Sequence, residues 1–400
     1  MSTKTTYKQT ELGLIPEDWE VKKLGDLVNI KSGDSPTKFK LSESNGKYPY
    51  LKVEDLNNCN KYQSLSRNYS KDKFSIVKEN SIIFPKRGAA ILNNKVRINI
   101  IPVQMDSNLM ALTVKNEKSN VEFLYYKITK EGLFKIADTS TIPQINNKHI
   151  LPYKIPLPPL PEQKKIANCL STWDVAIEKQ NALINALTDR KKALMQQLLT
   201  GKKRLPGFSG EWKEVKLGEI GEIQTGNTPS KLESENWNGE YYWCTAEDMK
   251  SKYVNNTAQK LTKKGWSLAR TVKANSILVT CIASIGINAI TNVECSFNQQ
   301  INSITPNENF STEFIYYLMN NSKGNLLKYA GAGALPMLNK NTFSSIKFKF
   351  PTLSEQTAIA DILATADREL TLQKEKLAQL QTQKKGLMQV LLTGKKRLLN

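Results

Sequence analysis

Two stretches of the chain carry apolar residues in alternating steps of four and three. The first runs through Ile166, Leu170, Trp173, Ile177, Gln180, Ile184, Leu187, Lys191, Leu194 and Leu198. The second runs through Ile359, Leu363, Ala366, Leu370, Gln373, Leu377, Leu380, Lys384, Leu387 and Leu391. Such steps keep side chains on one narrow stripe of an α-helix, and about five heptads of them predict a coiled-coil seam. No proline or glycine interrupts Glu162–Thr200. Prolines crowd just ahead of it, at Pro152, Pro156, Pro158, Pro159 and Pro161, where a helix start tolerates them. Gly201 and Gly394 follow the last periodic leucines, as helix-ending glycines do. Each helix is about 39 residues, or roughly 58 Å at 1.5 Å per residue. A stripe this narrow fits another helix better than the face of a domain. The two helices are therefore expected to pair with each other, antiparallel, because each begins beside its own globular domain. Each stripe also carries one glutamine and one lysine, which cost stability but fix register and partner choice.

The remainder reads differently. Ahead of each helix lie roughly 145 residues of mixed, turn-rich pattern. Short apolar runs, Ser81-Ile82-Ile83-Phe84 and Ser276-Ile277-Leu278-Val279, follow Glu-Asn and Ala-Asn turns and predict strands of a β-rich sheet. Helices are predicted near Val121–Ile128 and Thr312–Asn320, both running through Phe and Tyr-Tyr. One pattern is thus written twice. Trp19 returns as Trp212, and the same offset carries Leu24-Gly25 to Leu217-Gly218, Ser32-Gly33 to Thr225-Gly226, and Glu162-Gln163 to Glu355-Gln356. The expected fold class is α+β. Two α/β domains, each a β-rich sheet with helices, are separated by two long antiparallel coiled-coil helices, with a pseudo-two-fold internal duplication. The expected boundaries are 1–157 for the first domain, 158–201 for the first helix, 202–350 for the second domain and 351–400 for the second helix.

Charge changes this picture. The chain has 57 basic and 37 acidic residues, a net charge of +20, which points to a polyanion and first of all to nucleic acid. A duplicated unit presents two similar surfaces and suits a partner with two-fold character, such as duplex DNA. The five cysteines form no C-x-x-C pair, and with one histidine, His149, a zinc site is not expected. The odd cysteine count argues for a reducing, cytoplasmic setting. Lys4, Lys8 and Glu11 interrupt the opening, against a signal peptide, and the most apolar stretch, Ser276–Ile290, is too short to span a bilayer. No metal and no cofactor is expected.

Catalytic signals are missing. A single histidine leaves little room for Ser-His-Asp or Cys-His chemistry, and there is no G-x-x-x-x-G-K-[ST] phosphate loop. Glu54-Asp55 and Glu247-Asp248 resemble paired nuclease carboxylates, but no lysine follows at nuclease spacing, and helix capping explains such pairs better. The turns Gly33-Asp34-Ser35 and Gly226-Asn227-Thr228 lack phosphate-loop spacing but are candidates for touching DNA. Basic residues beside turns and aromatics are the stronger candidates. In the first half they are Lys86, Arg87, Lys95 and Arg97. In the second they are Lys260, Lys263, Lys264 and Arg270, around Trp266. Arginine reads guanine bidentately, and lysine mostly fixes phosphates. Lys202-Lys203-Arg204 and Lys395-Lys396-Arg397 are expected to complement the C-terminal helix dipoles.

These residues carry a family resemblance. The opening Gly13-Leu14-Ile15-Pro16-Glu17-Asp18-Trp19-Glu20-Val21, the second start Leu205-Pro206-Gly207-Phe208-Ser209-Gly210-Glu211-Trp212, the Pro159-Leu160-Pro161-Glu162-Gln163 helix start and the Leu-Leu-Thr-Gly-Lys-Lys-Arg-Leu helix ends resemble the specificity subunits of type I restriction–modification systems. The resemblance spans nearly the whole chain. It implies two target recognition domains, each reading half of a bipartite double-stranded DNA sequence, and paired helices that act as a ruler for the unread gap. It also implies two methyltransferase subunits docked on those helices, which bind S-adenosylmethionine and methylate adenine, and two restriction motor–nuclease subunits. The competing readings are a stand-alone DNA methyltransferase or nuclease with degenerate motifs, and a coiled-coil adaptor.

Overall fold

A computed structural model of the chain describes residues 6–115, 118–139, 142–330 and 336–398. Both long helices are single uninterrupted elements of 39 residues, Leu160–Leu198 and Leu353–Leu391. The two start three residues before Gln163 and Gln356, although only the first follows a run of prolines. The chain divides into two compact units, Met1–Gln180 with Lys376–Asn400, and Asn181–Glu375. The division cuts each long helix near its middle. Each unit therefore holds one globular domain, the first half of one long helix and the second half of the other.

Within each unit the helix segments run antiparallel. In the first, Arg397 pairs with Glu162 and Lys384 with Asp174; in the second, Arg204 pairs with Glu355 and Lys191 with Asp367. Climbing one helix thus means descending its neighbour. Every position of both four-three stripes is buried or half-buried. The two stripe lysines are neutralised across the helix pair by Asp174 and Asp367, which supplies the register information a polar seam residue carries.

In the first unit a five-stranded sheet has the order Val28–Ser32, Leu109–Val114, Ser81–Pro85, Arg97–Asn99, Tyr62–Gln63. All neighbours are antiparallel except the last pair. The central strand Ser81–Pro85 is buried at every residue, as a strand covered on both faces must be. Its alternation divides two cores. Ile82 and Phe84 join Phe123 and Tyr126 of the helix Val121–Glu131, together with Ile166 and Leu170 of the first long helix. Ile83 joins Leu51, Leu56 and Met105. This second core sits under a four-stranded sheet of Gln104–Met105, Tyr48–Leu51, Tyr69–Ser70 and Leu41–Ser42. The strand is launched by Asn80 in the left-handed region at φ 57°, where asparagine is tolerated.

The second unit repeats this plan. Its five-stranded sheet runs Gly221–Thr225, Ile301–Pro306, Ile277–Thr280, Asn288–Thr291, Tyr253–Val254. Its four-stranded sheet runs Gln259–Leu261, Trp237–Cys244, Cys295–Phe297, Thr271–Val272. Ile277 and Val279 face Phe314, Ile359 and Leu363, while Leu278 faces Cys244 and Phe297.

A two-stranded ladder delivers the chain into each long helix: Lys154–Leu157 on Glu20–Lys23, and Lys347–Phe350 on Lys213–Lys216. The glutamine of each Glu-Gln pair then ties the helix start to its domain. Gln163 donates to the carbonyls of Pro158 and Lys118 at 2.8 and 3.0 Å and accepts from the Asn120 amide at 2.8 Å. Gln356 donates to Pro351 at 3.0 Å and accepts from the Ser311 amide at 2.9 Å. Asn120 and Ser311 are also the residues whose side chains cap the helices Val121–Glu131 and Thr312–Asn321.

Candidate nucleic-acid interface

The two glycine turns are junctions between the sheets. The Gly33 amide donates to Leu109 and that of Asp34 to Met105; the Gly226 amide donates to Ile301 and that of Asn227 to Phe297. A Cβ on Gly33 would stand 2.1 Å from the Asp106 carbonyl oxygen, and one on Gly226 would stand 2.2 Å from that of Phe297. Close backbone approach therefore explains both glycines. The neighbouring side chains are committed within the fold. Asp34 accepts from Lys38 at 2.7 Å and from Ser75, and these donors hold its carboxyl below the usual range. Ser35 caps the short 3-10 turn Pro36–Lys38. Asn227 bonds Leu268 and the Arg270 amide, and Thr228 bonds Gln299. The aspartates of the Glu-Asp pairs are likewise structural: Asp55 accepts from the Lys52 amide, and Asp248 accepts from Thr245 and the Ala258 amide.

In the first domain, Lys86 and Arg87 leave the buried end of the central strand on a loop fixed by backbone bonds from Lys86 to Asn108 and from Gly88 to Pro143. Arg87 is exposed, and its guanidinium has no side-chain partner among the described residues. Lys86 is half-buried, and burial together with Arg87 pushes its pKa down. Lys95 is half-buried. Arg97 is placed differently from a base reader. It donates to the Val96 carbonyl at 2.7 Å, lies beside the Cys59 thiol, and buries its Nε. Its strand sits inside the five-stranded sheet, and its side chain is half-buried.

The second domain carries its cations elsewhere. The place of Lys86-Arg87-Gly88 is taken by Cys281-Ile282-Ala283, with Ile282 bridged to Met337 as Arg87 is to Gln144. Positive charge gathers instead around the helix Lys263–Leu268. Lys263 and Arg270 are exposed there, and Arg270 is anchored by a 2.7 Å bond to the Thr225 carbonyl. Lys264 is engaged by Glu235 at 2.6 Å, which raises its pKa and lowers that of Glu235. Lys260 lies 4.8 Å over the Tyr242 ring, and Trp266 stacks on Tyr241 at 5.0 Å. Sequence reasoning missed Lys231, which sits 5.9 and 5.8 Å over Trp237 and Trp243. The density of aromatics in Trp237-Asn-Gly-Glu-Tyr-Tyr-Trp243 was the available signal.

The Lys-Lys-Arg motifs correct the dipole expectation. Their arginines reach across to the opposite helix start. Arg397 grips Glu162 with two bonds of 2.7 Å and Asp18 with bonds of 2.9 and 2.7 Å, while the Trp19 indole donates to Glu162 at 3.0 Å. Arg204 grips Glu355 with two bonds of 2.7 Å and lies over the Trp212 ring. The planar fork matches a carboxylate bidentately, a geometry lysine cannot offer. The arginine therefore closes the antiparallel pair.

One further cation is peculiar to the first unit. Lys127, on the helix Val121–Glu131, is buried against Glu131 at 3.2 Å and donates to the Leu392 carbonyl at the end of the second long helix. Burial lowers its pKa to about 8. The unfolded chain then holds a proton that the folded chain has shed, from pH about 8 up to the ordinary lysine value. Stability of the wild type relative to Lys127→Met is expected to be flat below pH 8 and to rise from there to about pH 10. Urea titrations across that window check it; a flat difference would refute the shift.

Comparisons with known proteins agree with this plan. A family model described as the type I restriction modification DNA specificity domain matches residues 16–189 and again residues 209–382. The specificity subunit of the type I restriction enzyme MjaVIII from Methanocaldococcus jannaschii is 29% identical over 419 residues, covering 96% of this chain and 95% of its own. That of EcoR124I/EcoR124II from Escherichia coli is 27% identical, covering 64% of this chain and 66% of its own. Among solved structures, the S subunit of a type I restriction–modification system from M. genitalium aligns with a TM-score of 0.56 at 17% identity, covering 93% of this chain and 96% of its own. A chain from a study of assembly and conformational transition of the type I system aligns with a TM-score of 0.63 at 14% identity, covering 96% and 99%.

Proposed function

Because this chain belongs to the type I restriction–modification DNA specificity family, we propose that it is the DNA-reading subunit of such a system, recognising a bipartite double-stranded sequence with its two globular domains. The observation that carries this reading is the pairing of one scaffold with two chemistries. The loop after the central strand is Lys86-Arg87-Gly88 in the first domain and Cys281-Ile282-Ala283 in the second, while the second collects Lys263, Arg270 and stacked aromatics elsewhere. Equal frames with unequal reading surfaces suit two unlike half-sites.

The chain itself contributes the address and no catalytic group. Two methyltransferase subunits dock on the paired helices, bind S-adenosylmethionine and methylate adenine, and two restriction motor–nuclease subunits complete the complex. The helix pair sets the unread gap between half-sites. Arg87 and Lys86 contact the first half-site; Lys263, Arg270, Lys260 and Lys231 contact the second.

Binding by the assembled methyltransferase complex is expected to weaken steeply with salt, because each neutralised phosphate releases a counterion. Arg87→Ala is expected to lose about 1–3 kcal/mol at the first half-site only, as removal of one base-reading arginine does. Competition titrations with duplexes altered in one half-site or the other measure it. Equal loss at both half-sites, or binding indifferent to sequence, would overturn the modular reading.

A further inference from the structure

A partly buried cluster of charges recurs where each domain meets the long helices. In the first unit Lys61, only 6% exposed, places its ammonium 3.0 Å from Glu122 Oε2, 2.8 Å from the Tyr126 hydroxyl and 3.7 Å from Asp174 Oδ2. The Tyr126 hydroxyl donates to Asp174, and Lys384 pairs with the same carboxylate. The second unit repeats the set. Lys252 pairs with Glu313 and donates to Tyr317 at 3.1 Å, Tyr317 donates to Asp367 at 2.7 Å, and Lys191 pairs with Asp367. Each cluster holds two cations and two carboxylates. Each binds together the edge strand of the five-stranded sheet, the domain helix and both long helices.

Neighbouring apolar contacts, such as those of Ile166 and Leu170, hold the domain on the helix without fixing a direction. A partly buried ionic network is stricter, because a small displacement leaves a partly desolvated charge without its partner. The glutamine at the helix start is one fixed point. The aspartate lies eleven positions further along in both copies, about 16 Å away at 1.5 Å per residue. One fixed point sets a position, and two set an angle. We propose that the Lys61–Asp174 and Lys252–Asp367 clusters are positioning devices that hold each recognition domain at one angle on the helix pair, and so restrict the DNA target to one gap length. This rests on the reading of the chain as a specificity subunit.

The test uses the full chain assembled with its methyltransferase partners and a DNA library carrying both half-sites at every gap length around the native one. The wild type methylates one length. In Lys61→Met and Lys252→Met the ratio of methylation at neighbouring lengths to that at the native length rises about tenfold, a modest change for a broken, partly buried network. The half-site bases stay the same, and Lys61→Arg restores the narrow profile. Tyr126→Phe and Tyr317→Phe, which remove one oxygen and keep the ring, broaden the profile in the same sense without threatening the fold. Variants that lose stability or total activity while keeping the wild-type gap profile would show the clusters to be structural only and overturn the proposal. A wild type without any gap preference would instead overturn the specificity reading, and this inference with it.

Discussion

Arg397→Ala is expected to destabilise the first unit by about 3–5 kcal/mol, the range for breaking a buried ion pair from one side. The side chains of Arg397 and Glu162 are 8% and 4% exposed, and the loss of the guanidinium strips Glu162 of both its arginine bonds while the Trp19 indole bond stays. Arg397→Lys should recover little of this, because a point charge cannot replace two parallel bonds. Arg397→Met combined with Glu162→Gln should recover most of it, since an apolar and a neutral replacement together remove the stranded charge while leaving an acceptor for Trp19. Hydrogen exchange localises the effect: protection falls in 160–180 and 376–398 and holds in 181–375. A uniform loss across both units, or full recovery with lysine, would count against the clasp.

The second large effect concerns the gap. Each long helix is continuous and antiparallel to the other, so an insertion in one alone would force apart either Asp174 and Lys384 or Lys191 and Asp367. Seven residues inserted after Gln180 and seven after Glu375 keep both pairs and the heptad phase. The helices then lengthen by about 10 Å, or about three base pairs at 3.4 Å each. The preferred gap is expected to grow accordingly, with the half-sites unchanged, when the complex is offered duplexes of graded gap. An unchanged gap would refute the ruler. Loss of all methylation by the single insertion and its return with the double one would support the paired register.

The long helices were legible because a four-three stripe is a local signal. Ile166, Leu170 and their successors announce a seam without knowledge of any partner. The central strand was legible for the same reason: Ser81-Ile82-Ile83-Phe84 is too apolar to have a wet face, and both its faces are covered. What stayed hidden depends on groups far apart in the chain. Arg397 sits just past a helix end, and local rules assign it to the dipole; Glu162, its real partner, is 235 positions away. Gly33 and Gly226 looked like loop residues free to meet a ligand, but the carbonyls that crowd them belong to another strand. Arg97 lies in a basic stretch that reads as surface, yet it is half-buried beside Cys59, which lies far from it in the chain. The internal duplication held an unused clue. Lys61-Tyr62, Glu122 with Tyr126, Asp174 and Lys384 all have counterparts in the other half, Lys252-Tyr253, Glu313 with Tyr317, Asp367 and Lys191. Divergent surfaces are kept by neither copy, so the reading residues could be ranked from charge alone and no further.

The most direct measurement is single-molecule mapping of adenine methylation across the host genome, with and without the gene for this chain. One bipartite motif with a single fixed gap is expected to lose its methylation when the gene is removed and to regain it on restoration. An identical methylation pattern in both strains, with the partner methyltransferase expressed, would contradict the claim that this chain directs modification to DNA.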